Sequence, residues 1–160
     1  MKLMNIQITL ATMDQASLIA AVLQQAFREY EALYTPEAFA VTTPTTKQIQ
    51  GRWDEGPVWA ALQNDVIVGT VAAVPKQGAL YIRSMAITPA ARGYGVGKSL
   101  LQETERFARQ NDLQRMFLST TPFLDRAIKL YEGFGFKQIE AGPHELFRTP
   151  LFTMERILDL

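Results

Sequence analysis

The chain has 160 residues, with 16 Lys+Arg against 16 Asp+Glu, 48% hydrophobic residues, one histidine and no cysteine. That length suits a single domain over residues 1–160, the composition is that of a folded globular protein, and the balanced charge gives no bulk reason to expect a nucleic-acid or membrane partner. Disulfides, a thiolate nucleophile and a thiolate zinc site are excluded outright, and His144 alone cannot build a His-rich site, so no metal is expected.

The N-terminal MKLMNIQITLATMD alternates apolar and polar residues and lacks the apolar core and cleavage site of a signal peptide. No run approaches the ~18 apolar residues of a membrane span, so the cytoplasm is the expected location. Asn5–Ala11 places Ile6, Ile8 and Leu10 on one face, the period of a strand. Asp14 is positioned to cap a helix running to about Tyr30, with Leu18, Ala21, Val22, Gln25 and Ala26 along one stripe. Tyr34–Thr46 carries two prolines and five threonines and reads as irregular, with a short helix over Gln48–Trp53 after it. Pro57–Leu62 and Val66–Val74 are β-branched runs joined at Asn64-Asp65, a hairpin signal. Gly78 marks a turn into a strand over Ala79–Ile87. A helix is expected over Ser99–Gln110, a strand over Arg115–Ser119, a helix over Asp125–Phe134, and strands over Phe136–Glu140 and Phe152–Leu158. Antiparallel strands followed by a strand–helix–strand unit predict a mixed sheet with helices on its faces.

Between the Ala79–Ile87 strand and the next helix lies ARGYGVGKSLL. Counting excludes two phosphate motifs. A Walker A loop ending at Gly97-Lys98-Ser99 requires glycine where Arg92 stands, and G-x-G-x-x-G requires glycine at Lys98 or Leu100. What remains, Arg92 to Gly97 at a helix start, offers convergent N–H groups and a positive dipole end to an anion. A turn that only caps the helix needs one such residue, not three. In the preceding strand Leu80 and Ile82 share a face, yet the next apolar pair is Met85 and Ile87. The alternation slips by one residue, the mark of a β-bulge that frees backbone groups for another partner. A freed strand edge beside an anion-binding loop suits an amide-bearing arm attached to a diphosphate, the shape of coenzyme A.

Arg92–Gly97 resembles the R/Q-x-x-G-x-G/A signature of the GCN5-related N-acetyltransferase (GNAT) superfamily, and Ala127–Phe136 is similar to its A-x-x-L-Y-x-x-x-G-F. The resemblance covers nearly the whole chain. It implies a mixed, mostly antiparallel sheet of about seven strands flanked by helices on both faces, with the fourth strand bulged. It also implies acetyl-CoA as cosubstrate, with the backbone of Met85, Ala86 and Ile87 pairing with the pantetheine arm. The N–H groups of Gly93, Tyr94, Gly95, Val96, Gly97 and Lys98 would cradle the pyrophosphate, with Arg92 adjacent. Acetyl would pass directly to a small-molecule or peptide amine in a ternary complex, the alternatives being a non-catalytic acyl-CoA-binding module or transfer of another acyl group, and the protein would be a monomer or homodimer. Tyr131 matches the family tyrosine that protonates the departing thiolate, although a ring in the stripe Ala127, Leu130, Tyr131, Phe134 could equally serve packing. Where many relatives carry a glutamate in the bulged strand, this chain has Arg83 and Ser84; where some carry asparagine before the second motif, it has Leu124. Glu29, Glu31, Glu145 and His144 are candidates for the base, with bulk water at slightly alkaline pH as the alternative. Tyr30, Tyr34, Trp53, Arg83, Ser84 and His144–Phe147 are candidates for the acceptor pocket.

Overall fold

The computed structural model describes residues 5–159; residues 1–4 of the alternating N-terminal stretch lie outside the described residues. Strand β1 (Ile6–Leu10) pairs antiparallel with β2 (Val58–Gln63), which continues through β3 (Val66–Lys76) to β4 (Ala79–Ile87). The hairpins turn on Asn64 and Asp65 (φ 49° and 65°) and on Gln77 and Gly78 (φ 48° and 80°), the left-handed pairs that two-residue hairpins need. β4 then pairs in parallel with β5 (Arg115–Thr120). The C-terminal strand β9 (Phe152–Ile157) inserts between β5 and β6 (Lys137–Ile139), giving the order β1-β2-β3-β4-β5-β9-β6. The seven-stranded, mostly antiparallel sheet matches the expectation.

Helices cover both faces. On one, α1 (Ala16–Phe27) and α3 (Thr46–Gly51) bury Ile19, Leu23 and Ile49 against Ala60, Ile67 and Ala86 of the sheet. On the other, Val96, Leu100 and Leu101 of α4 (Val96–Gln110) and Tyr131 of α5 (Asp125–Gly133) pack with Leu80, Ile82, Met116 and Met154.

Three expectations are corrected. Tyr34–Thr46 is not irregular, because Pro36–Thr42 is a helix (α2) and α3 begins at Thr46. The residues that suggested a loop are the helix starts themselves. Pro36 occupies the first turn, where its missing N–H costs nothing, and Thr35 Oγ1 accepts from the Ala38 N–H at 3.3 Å. Thr45 and Gln48 bond reciprocally as a capping box, at 2.9 and 3.2 Å. Secondly, Asp14 does not cap α1. It lies inside a 3-10 turn (Met13–Gln15) opened by Thr12, whose N–H donates to Gln15 Oε1 at 2.9 Å, and a further 3-10 segment, Arg28–Leu33, follows α1. Thirdly, α4 starts at Val96 rather than Ser99, which puts Gly97 and Lys98 inside its first turn. A small hairpin, β7 (Glu145–Leu146) and β8 (Thr149–Pro150), is additional. Its turn residues Phe147 and Arg148 (φ 46° and 71°) carry none of the Asn/Gly chemistry that announces such turns.

Candidate active site

The site follows from two irregularities of β4. Ala72 of β3 faces Arg83 and Thr70 faces Ala86, so Val71 alone opposes Ser84 and Met85. This is the bulge that the slipped alternation predicts, with Ser84 left-handed at φ 53°. It keeps Met85 and Ile87 on the same face as Leu80 and Ile82, and turns Ala86 toward α1. The second irregularity is divergence. β4 and β5 pair only over Ala79–Tyr81 and Arg115–Phe117, so from Ile82 onward that edge of β4 has no strand partner among the described residues. Its N–H and C=O groups face a gap in the middle of the sheet.

A cavity of about 750 Å³ lies along this edge, bounded by Ala26, Phe27 and Tyr30 below, by Met85–Ile87, by the glycine loop, and by Ala127, Leu130 and Tyr131 of α5. At its loop end, Gly93 and Gly95 hold φ of 85° and 80°, and a side chain added at either would point into open space. Among the described residues, the N–H groups of Gly93 through Lys98 donate to no protein acceptor; the first helical bond runs from Ser99 N–H to the Gly95 carbonyl at 3.0 Å. Six consecutive unpaired donors at the start of a fifteen-residue helix concentrate positive potential there. Gly97 has a different reason to be glycine. A Cβ there would stand 2.6 Å from Leu130 Cδ2 and 3.0 Å from Ile87 Cδ1, so it sets how closely α4 approaches α5 and β4. Arg92 pairs with Glu29 and donates from Nη2 to the Ala26 carbonyl at 3.0 Å, tying the loop to the C-terminal end of α1. The Tyr94 side chain stands out in solvent.

A second cavity, of about 320 Å³, lies on the other side of the divergence. Its wall includes Tyr34, Arg52, Arg83, Ser84 and Thr121, and it shares Phe27, Met85, Leu124 and Tyr131 with the first. The two cavities therefore meet at Tyr131. That phenol is 8% exposed, its ring lies edge-on to Phe136 at 6.0 Å, and its hydroxyl makes no hydrogen bond among the described residues. Burial, with Tyr34 nearby, pushes its pKa far above the usual tyrosine value, so the group is a proton donor throughout the neutral range. Tyr34 is raised by burial too, and the Thr121 hydroxyl beside it is buried without a hydrogen bond of normal geometry.

Of the expected acceptor residues, Tyr34, Arg83 and Ser84 border the second cavity and Tyr30 the first. His144 and Glu145 are exposed on the β7 side and border neither. Trp53 packs into the core beneath α1 instead. Glu29 is engaged by Arg92, and Glu31 is exposed. Phe27, Arg52 and Thr121, which no motif singles out, are brought to the cavities by the fold from three separate segments. No local pattern marks them.

The model of the family described as Acetyltransferase (GNAT) family matches residues 18–136. The chain is 29% identical over 135 residues to the uncharacterized N-acetyltransferase YjgM of Escherichia coli, covering 81% of this chain and 80% of that one. It is 32% identical over 90 residues to N-acetylaspartate synthetase of Xenopus tropicalis, a match spanning 55% of this chain but 33% of the longer protein. The fold is similar to that of PaiA N-acetyltransferase from Thermoplasma acidophilum in complex with coenzyme A, with TM-score 0.82 at 15% identity over 96% of this chain and 99% of that one. Bulged strand, diverging strands, glycine loop and family match agree: the chain belongs to the GNAT family of acetyltransferases.

Proposed function

We propose that this protein is an acetyl-CoA-dependent N-acetyltransferase that moves acetyl to a primary amine by direct transfer, both substrates being bound at once. The observation that carries this reading is the meeting of two cavities at one buried phenol. The larger cavity supplies what coenzyme A requires. Gly93–Lys98 direct their free N–H groups at the pyrophosphate, and the open edge of Met85–Ile87 supplies backbone partners to the amides of the pantetheine arm. The smaller cavity receives the amine. A thioester bound along β4 would end near Met85 and Tyr131, where both cavities open.

There the amine nitrogen attacks the thioester carbonyl. The C–N bond forms as the C–S bond breaks, and Tyr131 Oη gives its proton to the departing sulfur. The proton that the amine loses passes to solvent, which also restores the phenol. Burial keeps Tyr131 protonated and makes a thiolate formed beside it more basic, so the same dry surroundings favour the transfer from both sides. The chain has no cysteine, which agrees with transfer that passes through no thioester on the enzyme.

The test is a panel of amines assayed with acetyl-CoA for release of free thiol, with mass spectrometry of the product. The expected result is amine-dependent thiol release and a product heavier by one acetyl group. Binding of acetyl-CoA without turnover of any amine would reduce the protein to an acyl-CoA-binding module. Turnover only with a longer acyl-CoA would change the donor and keep the chemistry.

A further inference from the structure

The second cavity carries an electrostatic signature that acyl transfer itself does not require. Arg52, at the end of α3, and Arg83, in β4, both border it, and the described lining contains no carboxylate. Each guanidinium offers five N–H donors. Arg83 donates from Nη2 to Glu55 at 2.6 Å, and Arg52 from Nη2 to Ser84 Oγ at 2.9 Å. No other hydrogen bond to either side chain is made among the described residues, and Arg83 Nε is buried without an acceptor. Among the described residues Glu55, half exposed, is the carboxylate that pairs with Arg83, and its charge also acts on Arg52 without a hydrogen bond. The β4 bulge fixes this arrangement, because the left-handed Ser84 presents the hydroxyl that holds Arg52. Burial and the neighbouring Arg83 depress the Arg52 pKa from its usual value, the response of a cation short of counter-charge.

We propose that the acceptor is an amine carrying an anionic group, which Arg52 and Arg83 bind while its nitrogen reaches toward Tyr131. The proposal rests on the acetyltransferase reading and names the substrate class of that site. Arg83 lies two residues before Met85, roughly 7 Å along the strand, so one small molecule can span from the guanidiniums to the shared end of the cavities. Guanidinium forks suit carboxylate and phosphoryl groups alike. A polyamine meets the wrong sign of charge there.

The experiment compares matched amines with the wild-type enzyme and acetyl-CoA: each free α-amino acid, its α-amide, the corresponding decarboxylated amine, phosphoethanolamine and spermidine. Compared per unprotonated amine, the acids are expected to exceed their amides and decarboxylated partners by about 10- to 100-fold in kcat/KM, the range of a lost charge-assisted contact. A stronger response to phosphoethanolamine identifies the anion as phosphoryl and supports the site equally. Arg52→Gln and Arg83→Gln should each raise KM for the acid by roughly tenfold or more, leave KM for acetyl-CoA unchanged, and shrink the acid-to-amide ratio. Equal use of acids and amides, or preference for spermidine, overturns the proposal without any variant having to fold. So does a folded Arg→Gln variant that keeps the wild-type ratio, since the arginines would then only staple α3 to β4. Calorimetric titration of the CoA-saturated protein with the same compounds separates this inference from the reading beneath it. Selective binding of the acids without turnover sustains the anion subsite and refutes acyl transfer; non-selective or absent binding refutes the subsite.

Discussion

Tyr131→Phe separates chemistry from packing at the point where the two cavities join. The ring is 8% exposed and packs against Phe136, while its hydroxyl has no protein partner among the described residues. Phe therefore keeps the buried ring and breaks no hydrogen bond, so stability should change by less than about 1 kcal/mol. Loss of a general acid typically costs 10²–10⁴-fold, which is about 2.7–5.4 kcal/mol of transition-state stabilisation at 1.36 kcal/mol per decade. That exceeds the ~0.5–1.5 kcal/mol of a neutral hydrogen bond present in both ground and transition states. The assay is steady-state thiol release at saturating substrates, preceded by single-turnover measurement to establish that chemistry and not product release limits the rate. Expected are a fall in kcat of at least 100-fold, KM for acetyl-CoA within about threefold of wild type, and an unchanged melting temperature. Tyr131→Ala is the contrasting variant, leaving a cavity that costs ~3–5 kcal/mol. A Phe variant retaining more than about a fifth of kcat, with chemistry limiting, would remove Tyr131 from proton transfer and leave it as packing.

The glycines of the loop should separate by mechanism. Gly95→Ala strains a left-handed residue by roughly 1–2 kcal/mol and projects a methyl into open space, so acetyl-CoA affinity falls, whereas Gly97→Ala forces Leu130 aside and appears mainly as lost stability, by ~1–3 kcal/mol less any gain in helix propensity. Calorimetry and denaturation on the same samples check both, and equal effects of the two variants would refute the distinction. Glu29→Gln releases Arg92 from its partner and should tighten acetyl-CoA binding by about two- to fivefold, the scale of a partly exposed ion pair; weaker binding would make the pair a structural pin. Tyr34 and Tyr131 have pKa values raised by folding, so their contribution to stability is intact below the unfolded tyrosine value near 10 and is lost as pH rises beyond it, by up to about 1.4 kcal/mol per pH unit for each. Denaturant titrations at pH 9 and 11 should therefore show a shallower alkaline loss in Tyr131→Phe than in wild type.

The part of the molecule legible in sequence is the part encoded by local contacts. The slip from Leu80 and Ile82 to Met85 and Ile87 gives the bulge because alternation reports side-chain direction residue by residue. Asn64-Asp65 gives its hairpin because the turn type demands residues tolerant of positive φ. Thr35-Pro36 and Thr45-x-x-Gln48 carry helix-start chemistry just as local, but Pro and Thr serve loops equally well, and α2 has only seven residues in which to show a period. The second cavity follows another logic. Arg52, Arg83 and Thr121 converge because β4 and β5 part after Tyr81 and Phe117; the slip in β4 announces a freed edge, but no local pattern says which residues the gap gathers. Gly97 shows how a motif can be read correctly in position and incompletely in cause, since its missing Cβ answers to Leu130, thirty-three residues away.

The electrostatics of the two cavities bear on how an amine loses its proton before attack. Among the described residues, the wall of the second cavity holds two guanidiniums and three tyrosines, Tyr34, Tyr81 and Tyr131, and no carboxylate or imidazole. An ammonium entering this space meets positive charge and loses hydration, and both effects favour its neutral form. An anionic group on the same molecule offsets the penalty at the arginine end without supplying negative charge at the nitrogen. Under the proposal the cavity would select a molecule whose far end is charged and whose reacting end is neutral, the state in which nitrogen is a nucleophile. In the proposed reaction deprotonation is part of binding, drawn from the free amine in solution. The cost is an apparent affinity reduced by the fraction of amine that is unprotonated at the working pH. The arginine pair counters that cost. On the proposed reading, acceptor recognition and nucleophile activation are two consequences of one placement of charge, fixed in the sheet by the bulge at Ser84.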